Sequence, residues 1–114
     1  MRRMLCLFGL AVGACSTSAE LHTRPPIKEA QSSQSVAEIS ACILAKTDRF
    51  RPRPRYEPLP NGVSLVAITD GAGVMTTFWR VDVIDEGSTR LVQLYAKSFD
   101  QDLDVAVRQC AMPD

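Results

Sequence analysis

The chain predicts an α+β domain of two layers, with a three-stranded antiparallel meander carrying two helices on one face, in the order α-β-β-β-α. Two helix-capping signatures, Ser35-Val36-Ala37-Glu38 and Ser98-Phe99-Asp100-Gln101, each open an apolar stripe at helical spacing. Between the stripes lie three runs of strand composition, separated by the short turns Asp70-Gly71-Ala72-Gly73 and Asp85-Glu86-Gly87-Ser88.

In the first helix Val36, Ile39, Ile43 and Phe50 recur at roughly helical intervals, with Ala37, Ala41 and Ala45 as helix formers between them. Cys42 lies on the inward edge of that stripe. The helix must end before Pro52, which disfavours helical backbone at Arg51. The strands span Val63 to Thr69, Val74 to Ile84 and Thr89 to Lys97. Connections this short make consecutive strands antiparallel neighbours. A second turn centred on Glu86-Gly87 sets Val81 opposite Val92 and Trp79 opposite Leu94, a coherent apolar face for the helices. The other face then pairs Phe78 with Tyr95, Arg80 with Gln93 and Asp82 with Leu91, a mixed surface that an antiparallel sheet can show to water. The terminal helix places Phe99, Leu103, Val107 and Cys110 on one stripe, and Asp100, Asp102 and Asp104 complement its positive end.

The N-terminus has the parts of a secretion signal: a basic start at Arg2 and Arg3, an apolar run from Met4 to Ala14, and small residues at its end. The run is too short for a permanent bilayer span. Val12-Gly13-Ala14-Cys15 resembles the lipobox of bacterial lipoproteins, with Val12 where Leu is commoner. The resemblance implies cleavage after Ala14, lipidation of Cys15 and a membrane anchor; Ser16, rather than Asp, resembles the outer-membrane class. A plain signal cut nearby, giving a soluble periplasmic or secreted protein, is the alternative. Residues 1–14 are thus the expected signal peptide, 15–34 a lipidated flexible tether and 35–114 the α+β domain. The tether is polar, holds Pro25-Pro26, shows no apolar period and reaches roughly 60 Å when extended.

Cysteine parity agrees. Cys6 leaves with the signal and Cys15 takes the lipid, so Cys42 and Cys110 remain as a pair able to form a disulfide in an oxidising compartment. The element order, with one cysteine in each flanking helix, also resembles that of small uncharacterised proteobacterial envelope lipoproteins over roughly residues 35–112.

The 13 basic and 13 acidic residues balance, so net charge demands neither nucleic acid nor a membrane surface. The only histidine, His22, falls in the tether, which argues against a Ser-His-Asp site. No metal and no cofactor are expected: the folded part has no histidine, and the alternating Asp100, Asp102 and Asp104 lack the Gly and distal Glu of a calcium loop. The expectation is a non-enzymatic protein.

Two segments qualify as binding surfaces. In Arg49-Phe50-Arg51-Pro52-Arg53-Pro54-Arg55 the arginines alternate with aromatic or proline residues, so a stiff extended chain presents Arg49, Arg51, Arg53 and Arg55 to an anionic partner, or serves only as a solvated linker. On the open sheet face, Phe78, Arg80 and Tyr95 are residue types enriched at interface anchors. The expected function is an envelope lipoprotein whose tethered domain binds a protein or envelope component, as an assembly accessory, secretion-system component or immunity protein. The alternative is an inhibitor of a lysozyme-type cell-wall hydrolase, although lipoprotein inhibitors of that kind are mostly all-β and two capping boxes call for helices.

Overall fold

Ser35 and Glu38 satisfy each other's backbone donors, and this reciprocal cap opens helix α1, Val36–Lys46. The Ser35 hydroxyl accepts the Glu38 N–H and the Glu38 carboxylate accepts the Ser35 N–H, each at 3.1 Å. At the other end the Thr47 hydroxyl, fully buried, donates to the Ile43 carbonyl at 2.7 Å. The helix stops there, and Phe50 lies beyond it, packed edge-on against Trp79. The computed structural model describes residues 25–112 apart from 72 and 99, and apart from the side chains of 70, 71, 74 and 75. The signal, Cys15 and the first half of the tether lie outside the described residues, as do Phe99 and its place on the terminal stripe.

The sheet has five strands, not three. They are β1 (Lys28–Ser32), β2 (Pro54–Leu59), β3 (Gly62–Gly71), β4 (Val74–Asp85) and β5 (Arg90–Ala96), and helix α2 (Gln101–Ala111) follows them. Their spatial order is β1-β5-β4-β3-β2, with every pair antiparallel. The meander β3-β4-β5 is the centre that the sequence predicts. Its two flanks come from segments read as a tether and as a linker. β1 is polar because an edge strand owes the core only one face, and here Ala30 and Ser32 alone turn substantially inward. β2 escapes a strand reading because of Pro54 and Pro58, which fall at alternate positions on the outer edge, where a proline forfeits no ladder bond.

The hairpin register also differs by two residues. Arg80 faces Tyr95, Val81 faces Leu94, Trp79 faces Ala96, Val83 faces Val92 and Asp82 faces Gln93. The cause is the turn: Glu86 N–H donates to the Thr89 carbonyl at 2.9 Å, which centres it on Gly87-Ser88, with Gly87 at φ +97° where a side chain would be strained. A shift of two preserves the faces, so the predicted division into an inner apolar and an outer mixed face stands. Between β2 and β3 the chain reverses over Pro60-Asn61, and Gly62 is obligatory, because a Cβ there would sit 2.0 Å from the Val83 carbonyl oxygen.

Helix α2 starts later than its signature suggests. Its cap is Asp100, whose carboxylate accepts the Leu103 N–H at 3.1 Å, so Ser98 precedes the helix. Both helices lie on one sheet face, α1 over β3 and β4 and α2 over β5 and β1. Ile39, Ile43, Leu103 and Val107 bury there against Val63, Leu65, Val81, Val83, Val92 and Leu94. Cys42 and Cys110 are joined as a disulfide, with Cα atoms 5.6 Å apart, pinning helix to helix across 68 positions of sequence. Arg90 adds a polar clasp with no sequence signature: it donates to the carbonyls of Gln34 (2.9 Å), Ser33 (3.3 Å) and Gly87 (3.1 Å) and pairs with Asp85. That single side chain ties the entry to α1 onto the β4-β5 turn.

Candidate functional site

The arginine run is organised from within by Asp48. Arg53 pairs with the Asp48 carboxylate at 2.7 Å, and both Arg53 Nε and Arg51 donate to the Asp48 carbonyl, at 3.3 and 3.0 Å. Arg51 also donates to the Phe50 carbonyl at 2.8 Å. These bonds shape the connection between α1 and β2, in which the Arg51–Pro52 bond is cis. Arg51 and Arg53 are therefore partly spent on their own loop. Arg49 and Arg55 are exposed and make no hydrogen bond or ion pair with described residues, but they stand at opposite ends of the segment, Arg55 already within β2. The four guanidinium groups do not converge on one point. Asp48 is the residue that sequence reasoning missed, although an acid just ahead of a basic run is a visible signal for such a contact.

The second candidate is the sheet face opposite the helices. Strand parity brings Arg80 and Asp82 of β4, Ser64 and Val66 of β3, and Tyr95 and Gln93 of β5 onto it. Asp82 Oδ1 accepts from Ser64 Oγ at 2.7 Å and from Arg80 Nε at 2.8 Å. The ion pair is almost wholly desolvated, its side chains 7% and 5% exposed. Such a pair carries a large desolvation cost and persists only where extra hydrogen bonds satisfy it, which is the part Ser64 plays. Tyr95 stands directly across from Arg80, and burial together with the nearby Asp82 carboxylate pushes its hydroxyl above the ordinary value of 10. The phenol therefore stays protonated throughout the neutral range, able to donate or accept a hydrogen bond.

Phe78 differs from its companions. Between Ala67 and Ile68 the β3-β4 register slips, leaving Phe78 as the extra residue of a bulge, and its ring is 45% exposed where Arg80 is 6% and Tyr95 8%. A bulge kinks its strand and re-aims a side chain. The structure thus brings Arg80 and Tyr95 together as predicted neighbours on one face, yet as a buried polar floor rather than exposed anchors, with Phe78 alone standing out beside them. The predicted Phe78–Tyr95 pair is not formed; the turn, centred one residue later, gives Tyr95 to Arg80. Ser64 and Asp82 were not among the candidate residues, though an Arg and an Asp two apart on a strand must share a face and so signal a contact.

Among the described residues no group of three or more His, Cys, Asp or Glu side chains is placed to hold a metal ion, and no helix is long and apolar enough to cross a membrane. A scan against protein-family models finds none that matches this chain, and a search of the curated proteins finds no match.

Proposed function

We propose that the chain is a non-enzymatic envelope lipoprotein, anchored through Cys15 to the outer membrane and facing the periplasm, whose domain binds a protein partner on the sheet face opposite its helices. The observation that supports this most is the pairing of a fixed polar floor, Ser64-Asp82-Arg80 beside Tyr95, with the outstanding ring of Phe78. An aromatic anchor next to preorganised polar groups is the arrangement that concentrates binding energy at protein interfaces. The joined Cys42 and Cys110 fit a small domain working in an oxidising compartment, and they leave Cys15 to carry the lipid.

Two measurements test the halves of this reading separately. Labelling with a palmitate analogue, followed by the mass of the mature N-terminus, should show lipid on Cys15 and none in Cys15→Ser; equal membrane partition and mass for both forms would restore a plain signal and a soluble protein. For the binding half, a partner retained by the wild-type protein should be lost with Phe78→Asp and kept with Arg49→Gln. Loss with Arg49→Gln alone would move the contact to the arginine segment. Inhibition of a lysozyme by the purified protein would support the hydrolase-inhibitor alternative in place of both.

A further inference from the structure

The sheet face opposite the helices is more deeply buried than a face open to water. Val66 and Ser64 are 0% exposed, Thr77 2%, Asp82 3%, Arg80 6% and Tyr95 8%, all within a single chain. The register places the six on this side: Val66 opposes Arg80, Arg80 opposes Tyr95, Ser64 opposes Asp82, and beyond the bulge Thr77 opposes Ile68, two places on from Val66. Bonding to Asp82 encloses Ser64, but it does not shield the large side chains of Arg80 and Tyr95. Among the described residues both helices pack on the other side, and no helix or strand lies over this one.

We propose that the chain covers this face itself, with the tether segment Glu20-Leu21-His22-Thr23-Arg24 folded back from the start of β1. The chain enters at the right place. Ile27 N–H donates to the Leu94 carbonyl at 2.8 Å, and continuing the β1-β5 register by one residue sets Ile27 beside Tyr95 on the same face. Immediately ahead, Pro25-Pro26 can donate nothing to β5, so the ladder ends and the chain is free to turn. The length suffices as well. From β1 to β3 is three strand spacings, about 14 Å, and the six steps from Ile27 back to Leu21 reach about 20 Å when extended. Charge orients the crossing. Glu29, Asp82 and Glu57 fall in one register row, while Tyr95 and Val66 fall in the next. Alternate side chains of an extended segment between these rows point to opposite sides, so His22 and Arg24 turn to the carboxylates while Leu21 and Thr23 turn to Val66 and Tyr95. Glu29, at the entry, is held on this face by the Gln93 amide at 2.7 Å and is the first acid that Arg24 meets. Little intrinsic affinity is needed, because so short a connection gives the segment an effective concentration on the order of millimolar. A protein partner arriving at this face then meets Phe78 directly and the polar floor only by displacing the segment.

The contact depends on neither the lipid nor the partner, and its test uses the purified full-length chain alone in detergent, so its failure and theirs are separate results. The probe is nitration by tetranitromethane, followed by peptide mapping. The chain has two tyrosines, and Tyr56, 60% exposed on the other side of the sheet, is the internal standard for Tyr95. Because the Tyr95 phenol titrates above its ordinary value, its rate is compared between variants rather than with Tyr56 alone. Leu21→Asp lies outside the α+β domain and leaves its core intact. It should raise the Tyr95 rate by roughly tenfold or more, the loss of one buried leucine anchor, with the Tyr56 rate and the circular dichroism unchanged. Arg24→Glu should raise it too, and adding Glu29→Arg to that variant should restore protection by exchanging the charges. Phe78→Asp should leave the Tyr95 rate as it is. A Tyr95 rate indifferent to Leu21→Asp, a rate raised by Phe78→Asp instead, or a charge exchange that fails to restore protection would each overturn the proposal.

Discussion

Replacing Asp82 with Ala should be the most destabilising polar substitution in this domain. Asp82 Oδ1 accepts from both Arg80 Nε and Ser64 Oγ, and the Arg80 side chain is 7% exposed. Without the carboxylate, the desolvated Arg80 guanidinium loses its counter-charge, a situation that costs about 3–5 kcal/mol. The Ser64 hydroxyl loses its partner at the same time, for a further contribution of about 1–3 kcal/mol that overlaps the first because the three groups form one network. The assay is urea unfolding followed by far-ultraviolet circular dichroism. With a slope of about 1–2 kcal/mol per M, the midpoint should fall by roughly 2–4 M. The decisive companion is the triple variant Ser64→Ala/Arg80→Met/Asp82→Val, which removes every member of the network and keeps the volume. It should regain most of the lost stability, because the penalty belongs to the orphaned charge rather than to the absence of a bond. A loss under about 1 kcal/mol for Asp82→Ala, or a triple variant no better than the single one, would refute this account of the face.

Three further outcomes follow from particular contacts. Changing Cys42 and Cys110 together to Ala should cost about 4 kcal/mol by the loop-closure model for a 68-position separation, read as a lower unfolding midpoint with membrane anchoring unchanged; free thiols in peptide mapping of the mature wild-type protein would reject the bond. Gly62→Ala should cost about 1–3 kcal/mol although alanine is small, because its Cβ would lie 2.0 Å from the Val83 carbonyl oxygen and the β2-β3 turn must move; an unchanged melting temperature would show that the strands part more easily than that contact allows. Acid should weaken the fold in a way two carboxylates report. Glu38 is held below its ordinary 4.5 by Ser35, through the backbone N–H and then the hydroxyl, and Asp85 below its ordinary 3.8 by the Gly87 N–H first and Arg90 after it. Lowered folded values mean that their contribution is fully present above 4.5 and 3.8 and is lost as pH falls through the folded values. Glu38→Gln/Asp85→Asn should flatten that acid limb of the stability profile, and a limb of unchanged steepness would assign acid sensitivity to other groups.

The local elements were legible wherever a segment carries its own reason to be what it is. Ser35 and Glu38 name their helix start because the cap is made of neighbours, and the central strands announce themselves because Val63, Leu65, Val81, Val83, Val92 and Leu94 must alternate to bury one face. Even the disulfide was legible, since helical spacing turned Cys42 and Cys110 inward on α1 and α2. What the sequence alone determined, then, is the α+β class, the central meander, the inner face and the joining of the helices.

Tertiary structure decided the rest, and for a common reason: those features depend on partners far away in the chain. Lys28–Ser32 is a strand only because β5 offers it a ladder, and Pro54–Leu59 only because β3 does; neither has a core of its own to write a pattern. The hairpin register was set by one hydrogen bond across Gly87-Ser88, which composition does not weigh against a turn one residue earlier. Whether Arg80 stands in water or in a buried floor turned on Ser64, sixteen residues back by number and one strand away in space. Sequence assigned Phe78, Arg80 and Tyr95 to one face because strand parity is local. The depth of each side chain on that face is a property of the assembled sheet, so only the assembled sheet separates the protruding ring from the polar floor beside it.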